Sequence, residues 1–216
     1  AGIAAEAAEG AGLPAGSVSL VAGGGREELA ELATQEGVVD LIIPRGGEGL
    51  KAALKGVATV PVIYAASGNC HVYVDATADL DDAVAIAVNA KTHRPGVCNA
   101  AESLLVHADV AAEFLPRVLG ALRAESVELR VDARTRALAG VSLDADLVDV
   151  TEEDWASEFL ALTIAVGVVD SLEEAIAHIN RHGSGHSEAI VTADQGAAVA
   201  FERGVDAACV YVNAST

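Results

Sequence analysis

A chain of 216 residues that is 52% hydrophobic carries enough apolar material to bury a sizeable core, which excludes a disordered polymer. Its 32 acids against 13 bases give a formal net charge of −19 and exclude the basic face that nucleic acid requires, so no nucleic-acid partner is expected. No apolar run approaches the roughly 18 residues of a membrane span, no signal-peptide pattern opens the chain, and three unevenly spaced cysteines give no disulfide framework. A cytoplasmic chain without membrane association is the expectation.

From Ser17 onward short β-branched runs alternate with helical patterns, the signature of a mostly parallel sheet flanked by helices. Strands are predicted at Val18–Val21, at the continuous apolar run Val38–Ile43 and at Val60–Tyr64, with helices from Arg26 to Gln35 and from Gly49 to Val57 between them. The next strand, His71–Val74, is followed by a helix that Asp79 opens, where Asp81 and Asp82 suit the positive N-terminal end. That helix ends before Pro95. Further strands are predicted at Ser103–Val106, Val127–Val131, Leu162–Val169, Glu188–Thr192 and Ala208–Asn213. Their intervening helices are Val110–Glu125, Arg134–Leu138, Leu172–His182 and Gly196–Arg203. The division of the chain is placed between residues 57 and 58, where one βα rhythm ends and the cysteine-bearing unit begins. Because the sequence has no methionine, opens in a helical pattern and closes on an apolar strand, a fragment of a longer protein is expected.

Cys98 follows Pro95-Gly96 at the end of a helix, in the most basic stretch of an acidic chain, with Lys91, His93 and Arg94 against Glu102. The reactive form of cysteine is the thiolate, and a free thiol of pKa about 8.5 is only slightly ionised at neutral pH, so neighbouring cations are a direct means of activation. The competing reading is a small buried residue in a loop. Cys70 and Cys209 read as core. A zinc set of Cys70, His71, His93 and Cys98 lacks the paired spacing that structural zinc prefers, so no metal is expected.

Pro44 to Gly49 delivers glycines from an apolar run to a helix start, which suits either an anion on free N–H groups or merely a tight connection. The seven acids from Asp144 to Glu158 read as a solvated loop and helix start; Glu158, the last of them, is either a ligand contact or the end of the run. Among the histidines, His107 and His178 read as ordinary strand-end and helix positions and His182 as a helix C-terminus. His186 stands in the glycine-rich loop Gly183–Glu188, which leaves it either a substrate contact or an ordinary loop position.

The blocks Asp40–Gly47, Cys70–Asp75, Asn89–Glu102, His178–Ile190 and Val210–Thr216 together resemble the gamma-glutamyl phosphate reductases, the proline-biosynthesis branch of the aldehyde dehydrogenase superfamily. The resemblance implies a three-layer α/β/α fold: residues 1–57 as the end of a Rossmann-like NADP-binding domain and 58–216 as the catalytic domain. It implies NADPH-dependent reduction of L-glutamyl 5-phosphate to glutamate 5-semialdehyde through a thioester on Cys98. Arg45, Gly46 and Gly47 would lie near the cofactor and Glu158 on its ribose, with Arg94, His186 and Ser187 contacting substrate. Hydrolytic members carry a glutamate base upstream of the cysteine; here that place falls on Ala65 or Ala66, which agrees with a phosphorylating enzyme. A homo-oligomer of the full-length protein and a functional contact with glutamate 5-kinase are the further partners implied. The rivals are a CoA-acylating aldehyde dehydrogenase and an excised domain without catalysis.

Overall fold

Seven parallel strands form one sheet in a computed structural model that describes residues 2–21, 23–46, 48–64, 68–140 and 146–216. Two compact units divide the chain, residues 1–65 and 66–216. The first contains α1 (Gly2–Gly10), α2 (Arg26–Leu32) and α3 (Glu48–Val57).

The strands predicted in this first unit do not form. Val18–Val21 is irregular and exposed, and the runs at Val38–Ile43 and Val60–Tyr64 meet only at a parallel bridge between Ile42 and Val62. Ile42 N–H donates to the Pro61 carbonyl and Ile63 N–H to the Ile42 carbonyl, both at 2.9 Å. Parallel pairing between two runs alone is marginal, and the described residues of this unit supply no third strand.

The second unit holds the sheet, in the order β4-β3-β5-β2-β1-β6-β7. Its elements are β1 (Cys70–Val74), α4 (Leu80–Thr92), β2 (Ala101–His107), α5 (Ala108–Ala124), β3 (Glu128–Val131) and α6 (Ala133–Leu138). They continue as β4 (Leu147–Asp149), α7 (Glu152–Trp155), β5 (Thr163–Val169), α8 (Leu172–His182), β6 (Ser187–Val191), α9 (Gln195–Gly204) and β7 (Cys209–Val212). β1, β2, β5 and β6 are buried on both faces because helices cover both. On one face Val72, Val74, Leu104, Val106 and Val166 pack beneath α4 and α5, meeting Phe114, Leu115 and Val118. On the other, Tyr73, Leu105 and Ile190 meet Ala175 and Ile179 of α8 and Phe201 of α9.

Side chains at helix starts do the capping. Asp79 accepts from the N–H groups of Asp81 and Asp82, Ser171 from Glu174, and Asp194 from Gly196, satisfying donors that no preceding turn can reach.

The acidic run is not simply solvated. Asp149 lies on β4 and accepts from Arg136 at 2.7 Å, Asp146 pairs with Arg123 at 2.6 Å, and the buried Asp154 pairs with Arg130 while closing a capping box with Thr151. Its acids therefore hold an edge strand and a helical turn in place.

Candidate active site

Cys98 lies in the turn between α4 and β2 and is exposed. Its surroundings are built from the amino-terminal ends of the strands: β1 begins at Cys70, β2 at Ala101, β6 at Ser187 and β7 at Cys209. Beneath the turn the buried Cys70 thiol donates to the Cys98 carbonyl at 3.3 Å. Burial is the main force holding the Cys70 thiol protonated, with the Glu188 charge adding to it. Cys70 is thus packing for the turn, as the sequence suggested, and the exposed sulfur is that of Cys98.

Gly68 backs the same turn. A Cβ built at Gly68 would stand 1.7 Å from the Cys98 carbonyl oxygen and 2.5 Å from its Cα, an overlap no side chain survives, so only glycine permits this approach. The Gly68 N–H donates to Glu158 Oε1 at 2.7 Å. Glu158 is therefore half-buried beside the cysteine turn although it lies sixty positions further along the chain. Among the described residues no acceptor takes the Cys98 N–H.

The cationic flank is redistributed. Lys91 is fully buried and its Nζ lies 2.5 Å from Glu102 Oε2, also fully buried. Its charge is spent there and not on Cys98, which corrects the reading of Lys91 as an activator. Burial pushes Glu102 up to about 7 despite its partner, and lowers Lys91 below its ordinary value. His93 and Arg94 remain exposed in the turn, leaving the Arg94 guanidinium as the cation near the thiol.

On the far side of β1, His186 and Ser187 enter β6, where His186 Nδ1 and Ser187 Oγ are 2.9 Å apart. Cys209 is exposed on the edge strand β7, not core as expected, because no strand covers its outer side among the described residues. Cys98, Glu158, Arg94, His186 and Ser187 thus gather at one rim of the sheet. Arg45 and Gly46 belong to the first unit, ahead of α3, where a Cβ at Gly46 would crowd Leu50. Gly47, Ala65 and Ala66 lie outside the described residues.

Two features escaped the sequence reading. Within the first unit α2 and α3 enclose a cavity of about 350 Å³ lined by Leu29, Ala30, Gly49, Leu50, Ala53 and Leu54. Behind the rim that carries Cys98, His71 Nδ1 lies 3.0 Å from Glu188 Oε2, both fully buried, and His71 meets His178 edge-on at 5.7 Å. His178 also meets Trp155 and His182, at 4.8 and 4.6 Å. It is no ordinary helix position: burial first, then the fields of His71, His182 and Arg181, pull its pKa down to about 3.

Residues 1–142 match the profile of the Aldehyde dehydrogenase family, and the chain belongs to that family. It is 52% identical over 211 residues to a gamma-glutamyl phosphate reductase of Heliobacterium modesticaldum, covering 98% of this chain and 49% of that protein. The crystal structure of gamma-glutamyl phosphate reductase from Thermotoga maritima superposes with a TM-score of 0.90 at 45% identity, over 97% of this chain and 50% of that one. An acetylating aldehyde dehydrogenase from Geobacillus thermoglucosidasius, 24% identical, shares the fold with a TM-score of 0.72 over 100% of this chain and 55% of its own. The chain spans about half the length of the curated relatives it matches. Among the described residues no helix is long and apolar enough to cross a membrane.

Proposed function

We propose that this chain provides the nucleophile of a gamma-glutamyl phosphate reductase, which reduces L-glutamyl 5-phosphate to L-glutamate 5-semialdehyde with NADPH and releases phosphate. The observation that carries the reading is Cys98, exposed in a turn that Gly68 and Cys70 hold from beneath, in a chain 52% identical to a protein of that name.

The Cys98 thiolate attacks the acyl carbon of the substrate, forming a C–S bond. The negative charge that develops on the carbonyl oxygen is met by the Cys98 N–H; one such donor is typically worth about 3 kcal/mol. The carbon–oxygen bond to phosphate then breaks, phosphate departs with the electron pair, and a thioester on Cys98 remains. When bound, the nicotinamide supplies the hydride that this carbon accepts. Breaking the C–S bond then returns the thiolate and releases the aldehyde. Arg94 faces the phosphate or a carboxylate of the substrate, as do His186 and Ser187.

The residues fit such a cofactor. Glu158 Oε1 is taken by Gly68, so Oε2 is the oxygen offered to a ribose hydroxyl. Arg45, Gly46 and Gly47 are assigned to the cofactor, with residues 1–57 read as the end of a Rossmann-like domain and 58–216 as the catalytic one. The full-length enzyme is read as a cytoplasmic homo-oligomer in functional contact with glutamate 5-kinase.

The test is aldehyde oxidation in reverse: NADP⁺ and glutamate 5-semialdehyde, with phosphate or CoA as acceptor. Phosphate-dependent NADPH formation that Cys98→Ser abolishes is expected. Turnover supported by CoA would make the protein a CoA-acylating dehydrogenase, and turnover surviving Cys98→Ser would remove the nucleophile assignment.

A further inference from the structure

The turn that carries Cys98 is bracketed by a buried ion pair. Lys91 is in the last turn of α4 and Glu102 is the second residue of β2, so their 2.5 Å contact closes the turn at its base. Glu102 has a second task. Its other oxygen, Oε1, accepts the Leu160 N–H at 3.2 Å, from a segment 58 positions away. Leu160 has φ +53, a left-handed conformation that a leucine adopts only when its surroundings impose it. Phe159 beside it lies 6.0 Å from the Lys91 ammonium and 5.2 Å from the Arg130 guanidinium. Two residues earlier, Glu158 accepts the Gly68 N–H, and Gly68 fits flush against the Cys98 carbonyl.

These contacts form a closed circuit: Cys98 turn, Glu102, Leu160, Glu158, Gly68 and back to Cys98. We propose that Glu102 is a positioning residue that locks the Glu158–Leu160 segment to the Cys98 turn, so that nucleophile and cofactor-side carboxylate share one geometry. Lys91 keeps the Glu102 carboxyl in place. The assignment rests on the reading of Cys98 as nucleophile and Glu158 as a cofactor contact.

The discriminating comparison uses two double variants in the full-length enzyme. Both replace the buried pair by uncharged groups of similar size, a change that cores commonly tolerate. Lys91→Met/Glu102→Gln keeps an amide oxygen for the Leu160 N–H, whereas Lys91→Met/Glu102→Leu removes every acceptor there. Hydrogen exchange of peptides covering residues 94–100 and 158–162 is read beside kcat and KM. With leucine, exchange in both peptides should rise about tenfold together, and kcat should fall about 100-fold with KM unchanged, the scale of a 1 Å misplacement. With glutamine, both readouts should stay within about threefold of the parent. A leucine variant that behaves like the parent, or a glutamine variant as impaired as the leucine one, would overturn the proposal. So would loss of cooperative melting in both, because the pair would then be supporting the whole unit. The exchange arm needs no turnover, so it separates this inference from the functional reading, which stands or falls with Cys98→Ser.

Discussion

Replacing His178 by glutamine should flatten the acid side of this protein's stability profile. In the fold the imidazole is wedged between Trp155, His71 and His182, and its pKa is held near 3 chiefly by burial. In the unfolded chain it titrates near 6.5. A base with a depressed folded pKa is neutral in the fold when the unfolded chain already binds a proton. Its contribution is therefore intact above about pH 6.5 and declines as pH falls toward 3, the unfolded state gaining at each step. At pH 5 the unfolded imidazole lies about 1.5 units below its pKa, which costs the fold about 2 kcal/mol relative to pH 7.5. The charged and titratable groups around it are Arg181 and the His182 ring on α8, and the His71–Glu188 pair across β1 and β6. The assay is urea unfolding at pH 7.5 and 5.0, followed by the fluorescence of Trp155, the sole tryptophan, which touches the ring in question. The parent should lose about 2 kcal/mol more between the two pH values than His178→Gln loses. A variant whose stability falls as steeply as the parent's would refute the buried neutral imidazole.

Gly68→Ala should slow iodoacetamide labelling of Cys98 and cut turnover about 100-fold, because its Cβ cannot coexist with the Cys98 carbonyl at 1.7 Å and the turn must move; unchanged rates would contradict that packing. Peptide mapping of alkylated native protein should find Cys98 and Cys209 modified and Cys70 protected until denaturant is added, since only Cys70 is buried. Asp79→Ala removes the acceptor for two N–H groups of α4 and should cost about 1 kcal/mol, seen as a Tm lower by about 2–4 °C. Arg94→Gln should raise KM for the acyl phosphate tenfold or more, the loss of about 1.5 kcal/mol from a charge-assisted hydrogen bond, with kcat preserved; an unchanged KM would remove Arg94 from the substrate site.

The second unit was legible because its strands are either continuous β-branched runs or follow capped helices, and each such run finds at least one parallel partner. β4 was missed: three residues inside an acidic stretch carry no strand signal, and what holds them is Arg136 reaching Asp149. In the first unit the same apolar pattern misled, since periodicity reports what a segment would bury but not whether a neighbouring strand is there to pair with it. For Cys98 the Pro-Gly pair was enough to predict the turn that carries it. Lys91 was not readable, because counting charges along the chain cannot tell a cation pointing at a thiol from one sealed against Glu102. Contacts such as His71 with Glu188, 117 positions apart, have no local signature at all.

The position of the site follows from how the sheet is closed at each rim. Open parallel sheets usually take ligands beyond the carboxyl ends of their strands, where connections leave for opposite faces. Here that rim carries a cavity of about 420 Å³ beside a hydrogen-bonded cluster: Asp75 at the end of β1 accepts from Thr192 at 2.7 Å and Thr77 at 3.0 Å, and these bonds outweigh burial and hold its carboxyl below the usual range. The amino rim is built the other way, with a glycine against a carbonyl, a buried thiol beneath it, and an N–H at Cys98 without an acceptor among the described residues. A cysteine placed on a turn entering β2 inherits the rigidity of a strand paired on both sides, with β1 and β5, while the residue itself stays exposed. That combination, a fixed backbone donor beside a reachable sulfur, is what acyl transfer asks of a protein.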